Sequence, residues 1–558
     1  MSNSSTQSNK NINESINTQE NHQIKDYIIP IELLKNIKNI NNNIDISNSN
    51  KYLTEFITMK NFDLFKYILF NLTENTIDNN NNNNFKKEDI LILKSFAITS
   101  INNLLLNQDF NNINSNFLNF NEISDLYACL LTNINDENYI SNYPKYFKNL
   151  LIKCFCTLVR ITWFKISELK NVLNDIVSFI KEDNNFYILL TSFEILKELV
   201  YIFQTNIQNQ KQFNKRVISE FKDIILLQIF DYAYNILNKI FLRKINILNF
   251  EMQINLINEI VLMLNEVLDF EEDLNIKLIG YKKYELKTYY IPNNKKRYRD
   301  KSIDFEILYK IINGLFDFYT MIIKYNCNNN NNNNLDNNID ELNVSGNILN
   351  LLQKFLCIKF MYLGSNKINV LKIYMEHLCT IMFNKYAIIN SEEICYLIYS
   401  LKKNYSIVDI MKYGNFITYL INFFEELYDS IKKGNNNNIQ GFNYLLRVFG
   451  LFSQNFKVIY NVDIKTKLFF VLKNILKNIL NYNINNNNNI EEIYELSKGF
   501  GMAGKCIFNE ILEKILEELD SDIKIEDFNG LSVKINCGIY LIKENYDILF
   551  EKKLQIKK

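Results

Sequence analysis

Leu150-Leu-Ile-Lys-Cys-Phe-Cys-Thr-Leu-Val-Arg-Ile-Thr162, followed by Leu169-Lys-Asn-Val-Leu-Asn-Asp-Ile-Val-Ser-Phe-Ile180, decides how this chain folds. In the first segment Leu150, Leu151, Cys154, Phe155, Leu158, Val159 and Thr162 recur at i, i+3 and i+4, which places them on one helical stripe. Leu169, Leu173, Ile176, Val177 and Ile180 repeat the pattern after a short polar link. The two segments form a pair of amphipathic helices, and a pair occupying roughly forty residues is the unit that stacks into a solenoid.

Working outward, the same period recurs. Helices are predicted over Phe186 to Tyr201, Phe221 to Phe241, Ile254 to Leu268, Phe305 to Ile323, Ile348 to Met361 and Val370 to Phe383. They continue over Glu392 to Leu401, Phe416 to Ile431, Phe442 to Phe456, Leu468 to Leu480, Ile490 to Leu519 and Leu531 to Phe550. A single pair cannot offset the entropy of ordering its own backbone, so each must rest on its neighbours. The expected fold is therefore all-α, an armadillo-like solenoid of HEAT type. Asparagine runs at Asn79 to Asn84, Asn328 to Asn334, Asn435 to Asn438 and Asn485 to Asn489 read as neutral, disordered loop expansions between helices, because Asn is a poor helix former and such runs bury nothing.

Composition agrees with this. Three prolines and thirteen glycines in 558 residues leave room for long helices, and 47% hydrophobic content exceeds one small core. The 62 basic and 62 acidic residues cancel, so no global field attracts nucleic acid or an anionic membrane. The longest apolar stretches carry Lys, Asn or Glu every few residues and do not read as membrane spans. Met1 to Gln23 is a polar, disordered tail with neither a secretory core nor an anchor. Nine scattered cysteines and two histidines, His22 and His377, offer no metal-ligand spacing; free buried thiols in a reducing compartment follow.

Trp163, the sole tryptophan, reads as core between helices, and His377 as a partly buried core histidine. Gly499, Gly501 and Gly504 fit Gly-x-Gly-x-x-Gly, yet no strand precedes them, so close helix packing is expected rather than a dinucleotide site. The acidic group Asp269, Glu271, Glu272 and Asp273 leaves a helix just before Lys282, Lys283, Lys287, Lys295, Lys296, Arg297, Arg299 and Lys301. Opposite charge blocks on one long loop read either as a solvated, self-neutralising segment or as an electrostatic guide for a charged protein partner. Lys295-Lys-Arg-Tyr-Arg299 also passes for a nuclear localisation signal.

Several separated segments resemble, in order, the nuclear transport receptors of the importin-β superfamily, specifically the exportin-7 and exportin-4 group. They are Lys51-Tyr-Leu-Thr-Glu-Phe56, similar to the second helix of the first repeat, Arg160-Ile-Thr-Trp-Phe164, Asn214 to Asp223 leading to Leu227-Gln-Ile-Phe230, Leu264 to Phe270 and Leu315-Phe-Asp-Phe-Tyr319. Leu401-Lys-Lys-Asn-Tyr405, Tyr413 to Leu420 and Phe442-Asn-Tyr-Leu-Leu446 complete the series. Ile291-Pro292 is followed by Asn293-Asn-Lys-Lys-Arg-Tyr298 where the family has a tryptophan, and the chain corresponds to the amino-terminal half of family members. The resemblance implies importin-like first repeats over residues 24–145, HEAT-like repeats with loop insertions over 146–480 and further, truncated repeats over 481–558. It also implies a non-enzymatic receptor, without cofactor, that shuttles between nucleus and cytoplasm and binds Ran-GTP, protein cargo and nuclear pore proteins. A second class stays open, an α-solenoid scaffold or truncated or split paralogue indifferent to Ran.

Overall fold

Helices account for nearly all of the computed structural model of this chain, which describes residues 29–58, 62–73, 86–106, 120–164, 170–179, 186–205, 211–242, 249–278, 305–329, 335–357 and 367–433, together with 440–442, 444, 445 and 448. No strand occurs among the described residues. The chain falls into two units, Met1–Val172 and Leu173–Lys558. The helices expected at Leu468 to Leu480, Ile490 to Leu519 and Leu531 to Phe550 lie outside the described residues, as do most of Phe442 to Phe456, the tail Met1 to Gln23 and the triplet Gly499, Gly501 and Gly504.

In the first unit, helices α1 (Ile31–Asn41) and α2 (Ile46–Thr58) form a hairpin. Its tight link holds Asn43 at φ 57 and Asp45 at φ 44, the left-handed region that short polar side chains tolerate best after glycine. Lys51 to Phe56 lies on α2, the second helix of this hairpin. Then come α3 (Phe62–Phe70), α4 (Lys87–Leu106), α5 (Phe120–Asn135), the single turn α6 (Glu137–Ile140) and α7 (Lys145–Thr162). Asp136 caps α6 by accepting from the backbone N–H groups of Asn138 and Tyr139 at 3.0 and 3.3 Å, and Pro144 opens α7.

The stripe read on α7 is buried apart from the half-buried Leu150, yet the burial extends further. Ile152, Cys156, Thr157, Arg160 and Ile161 are buried as well, because α4 covers one side of α7 and α5 another. The helix is thus central to its unit, and both Cys154 and Cys156 are buried free thiols. Trp163 follows directly and is fully buried. Helix α4 is long and apolar enough to cross a membrane by length and composition. In the fold it lies between α3 and α7 and buries Leu93, Ala97, Ile98 and Ile101, as expected of a helix covered on two sides.

The unit boundary falls within α8 (Val172–Ser178), the short helix that the second quoted segment forms. The second unit continues with α9 (Phe186–Gln204), α10 (Lys211–Phe221), a π turn (Lys222–Leu226), α11 (Leu227–Phe241), α12 (Phe250–Leu278) and α13 (Phe305–Asn329). Helices α14 (Leu335–Cys357), α15 (Lys367–Phe383), a 3-10 turn (Tyr386–Ile388), α16 (Ser391–Asn404), α17 (Ile407–Met411) and α18 (Gly414–Lys432) follow. The expected helix Phe221 to Phe241 is therefore interrupted by the π turn. Asn328 and Asn329 belong to α13; the rest of that asparagine run and the other three lie outside the described residues.

Two rows emerge from the packing of the second unit. Helices α9, α12, α14 and α16 lie side by side in one row, and α11, α13, α15 and α18 in the other, with α11 against α12 and α13 against α14 closing the layers. Within each row the order of contacts shows that neighbours run in the same direction. Lys197 meets Glu259 and Gln204 meets Glu266 between α9 and α12; Phe316 meets Tyr374 and Tyr319 meets Tyr386 between α13 and the segment of α15 and its 3-10 turn. Parallel neighbours in each row require the intervening helix to return in the other. Gly314 sets the approach of α11 to α13, since a Cβ there would stand 2.4 Å from Cδ2 of Phe241.

Candidate binding face

The acidic group expected on a loop sits instead inside α12, which runs on to Leu278. The physical reason is visible in the sequence: Leu274 and Leu278 keep the helical spacing, and no glycine or proline intervenes before Gly280. Asp269 has a partner within the row. Lys354 of α14 donates to its Oδ2 at 2.7 Å and to the carbonyl oxygen of Asn265 at 3.2 Å. Glu271, Glu272 and Asp273 follow on the same helix, whereas Lys295, Lys296 and Arg297 lie outside the described residues, with Lys282, Lys283, Lys287, Arg299 and Lys301. The structure therefore brings Asp269 to α14, while the basic block expected opposite it lies outside the described residues.

What the first row does assemble is a set of polar rungs. On α9, Lys197 and Gln204 stand two turns apart; they reach Glu259 and Glu266 of α12, Lys197 as an ion pair and Gln204 through an Nε2 donation to the Glu266 carbonyl at 2.9 Å. On α12, Asn258 and Asn265 are again two turns apart. Asn347 Nδ2 donates to Asn258 Oδ1 at 3.1 Å, and Asn265 Nδ2 donates to the Asn347 carbonyl at 3.2 Å. Seven residues is close to two helical turns, so one face of each helix meets the same face of the next. Burial and the nearby Asp269 push the Glu266 carboxyl up from its ordinary range, while Lys354 and Lys197 pull it back.

Between α14 and α16 the row opens a depression of about 370 Å³, lined by Asn343, Gly346, Asn347, Leu349, Asn350, Gln353, Glu393 and Tyr396. Asn343, Asn347 and Asn350 recur at i, i+4 and i+7 along α14, which carries the rungs on into the depression. Glu393 Oε1 would stand 3.5 Å from a Cβ added at Gly346, so the bare glycine leaves space beneath the carboxylate. Tyr396 and Tyr399 flank Tyr444, with ring centroids 4.9 and 5.8 Å from it. Burial and the neighbouring Glu393 raise the Glu392 carboxyl.

These amide positions were not foreseen from the sequence, where asparagine served only as loop punctuation. The usable signal was the two-turn spacing of Lys197 with Gln204 and of Asn258 with Asn265 on apolar helices. His377 is placed as expected. It stacks on Phe316 at 4.7 Å, its Nε2 lies 2.7 Å from Asn313 Oδ1, and burial holds its pKa below the usual histidine value. Among the described residues no group of three or more His, Cys, Asp or Glu side chains could hold a metal ion. The chain matches no protein-family model, and no curated protein matches it.

Proposed function

We propose that this chain is a HEAT-like α-solenoid that works by holding protein partners, and that it acts as an exportin-like nuclear transport receptor binding Ran-GTP together with cargo. The observation that carries the solenoid part is the pair of parallel helix rows in the second unit, the first of them linked from α9 through α12 to α14 by polar rungs. Stacked units of this kind make extended surfaces rather than a closed catalytic pocket, and stability passes from neighbour to neighbour. The Ran and cargo part rests on the ordered resemblance from Lys51 to Leu446.

The physical mechanism needs no chemistry from the chain. Two partners that each favour the same curvature of the stack assist one another, and a coupling of about 1 to 3 kcal/mol makes each bind about 5- to 150-fold tighter in the other's presence. Hydrolysis of the nucleotide on Ran withdraws that coupling, so cargo leaves. Nuclear pore proteins, a shuttling localisation and the absence of any enzymatic or nucleic-acid role belong to the same proposal.

A helical-repeat scaffold indifferent to Ran is the second reading. One observation favours it: Asp269, the acidic residue expected to meet a partner, is engaged by Lys354 within the stack. Capture on immobilised Ran distinguishes the two. Retention by Ran carrying a non-hydrolysable GTP analogue and loss with GDP support the receptor; equal recovery from both defeats it and leaves the scaffold.

A further inference from the structure

The depression between α14 and α16 has a chemistry of its own. Asn343 and Asn350 are exposed and Gln353 half-buried, and none of the three side-chain amides has a hydrogen-bond partner among the described residues. Each offers both donors and an acceptor, which is the pair of functions a main-chain peptide unit presents. Spaced along one helix face, such amides suit an extended strand, whose own N–H and C=O groups recur at short, regular intervals.

At the α16 wall stands Glu393. It is exposed, has no cation partner among the described residues, and shares its helix start with Glu392, whose pKa it raises by repulsion. The wall is thus a negative end of a polar groove with no cationic side chain set against it among the described residues. Beside it Tyr396 lines the depression and leads to the Tyr399 and Tyr444 rings. A carboxylate next to a tyrosine face matches a guanidinium better than an ammonium, because arginine can form the fork to the acid while its plane lies on the ring. Gly346 keeps the floor beneath the carboxylate open, since any side chain there would lie in contact with Glu393 Oε1.

We propose that this depression is a docking site for an extended segment of a partner protein that presents an arginine side chain to Glu393 and its main chain to the Asn343, Asn350 and Gln353 amides. The proposal rests on the protein-binding reading of the fold and specifies where and how one partner is held. It does not require that the partner be Ran or a particular cargo.

Fluorescence anisotropy on the full chain tests it, with a labelled peptide of Gly-Ser-Arg-Ser repeats as probe and two controls: glutamine in place of each arginine, and N-methylated backbone at each serine. The arginine peptide binds, the glutamine peptide binds about tenfold more weakly, as loss of a charge-assisted bond implies, and N-methylation weakens binding as well. Glu393→Gln and the double variant Asn343→Ala with Asn350→Ala each weaken the arginine peptide by fivefold or more, on the order of one such interaction. Both change exposed positions on helices, and an unchanged helical circular dichroism spectrum confirms that the fold persists. Equal binding of arginine and glutamine peptides, no arginine-peptide binding at all, or indifference to Glu393→Gln overturns the site. Nucleotide-dependent capture by Ran that persists in Glu393→Gln would leave the transport proposal standing without it.

Discussion

Lys94 is the most exposed to test of all the buried residues, because its burial is almost complete and its charge has no acidic partner driving the shift. On α4 it is 1% accessible; its Nζ donates to the Tyr139 hydroxyl at 3.2 Å and stands 4.9 and 5.1 Å from the Tyr139 and Tyr143 ring centroids. Tyr139 in turn donates to the Leu69 carbonyl at 2.8 Å. Burial lowers the lysine pKa from 10.5 to about 8. That shift is worth about 3 kcal/mol against the folded state at neutral pH. Lys94→Met keeps an unbranched helix-forming side chain of similar reach, removes the charge and leaves Tyr139 its bond to Leu69.

The sign follows from proton binding. Below the folded pKa both states carry the proton and the full cost of burial is present. Between about 8 and 10.5 the unfolded chain holds a proton that the native state has released, so this residue's contribution to stability rises with pH. The wild type should gain on Lys94→Met by about 1.4 kcal/mol per pH unit over that window. Between pH 8 and 9.5 the sum is about 2 kcal/mol, a urea midpoint shift of about 1 M. Trp163, the only tryptophan, is buried in the same unit as Lys94, so its fluorescence reports the unfolding of that unit. A wild-type-minus-variant difference that stays flat with pH, or a variant less stable than wild type at pH 7 by more than about 1 kcal/mol, refutes the reasoning.

Two further substitutions probe the second unit. Gly314→Ala gains about 1 kcal/mol of helix propensity but drives its Cβ to 2.4 Å from the Phe241 ring; the overpacking, about 1 to 3 kcal/mol, should win and lower the thermal midpoint. Adding Phe241→Leu should restore it, and a Gly314→Ala protein more stable than wild type would show that the ring moves aside freely. Asn390→Ala removes the acceptor shared by Ser345 Oγ at 2.8 Å and Tyr319 Oη at 3.4 Å, both on fully buried residues, and should cost about 1 to 3 kcal/mol in urea unfolding. Asn390→Asp keeps an acceptor there and serves as the geometric control; an unaltered Asn390→Ala midpoint would refute the cost, with Tyr319 Oη left on the Tyr386 carbonyl at 3.3 Å.

The helical period of Phe186 to Tyr201 and Phe305 to Ile323 was legible because a large apolar residue recurs at nearly every turn. Where that density falls, legibility falls with it. Helix α14 begins at Leu335 rather than Ile348, in a stretch rich in Asp and Asn, and α12 continues past Leu268 through four acidic residues. Charge and amide content suggests a loop, but helix propensity is a weak guide, and in α12 Leu274 and Leu278 keep the helical spacing with no glycine or proline before Gly280. The depression was invisible for a different reason. It joins Asn343 and Gln353 of one helix to Glu393 and Tyr396 of another, and no spacing within a single helix encodes which faces will meet. Trp163 and His377 were readable because a single large aromatic, or a lone imidazole on an apolar face, has few other places to go.

The rungs also separate two kinds of sequence change. Lys197 with Glu259, and Asn258 with Asn347, fix alignment through positions inside helices, so moving either partner by one residue would turn it away from its mate. The number of asparagines between Asn329 and Leu335 fixes nothing of that sort. Doubling such a connection costs only about 0.6 kcal/mol of closure entropy, so replication slippage can lengthen or shorten the asparagine tract while the helices on either side stay in step.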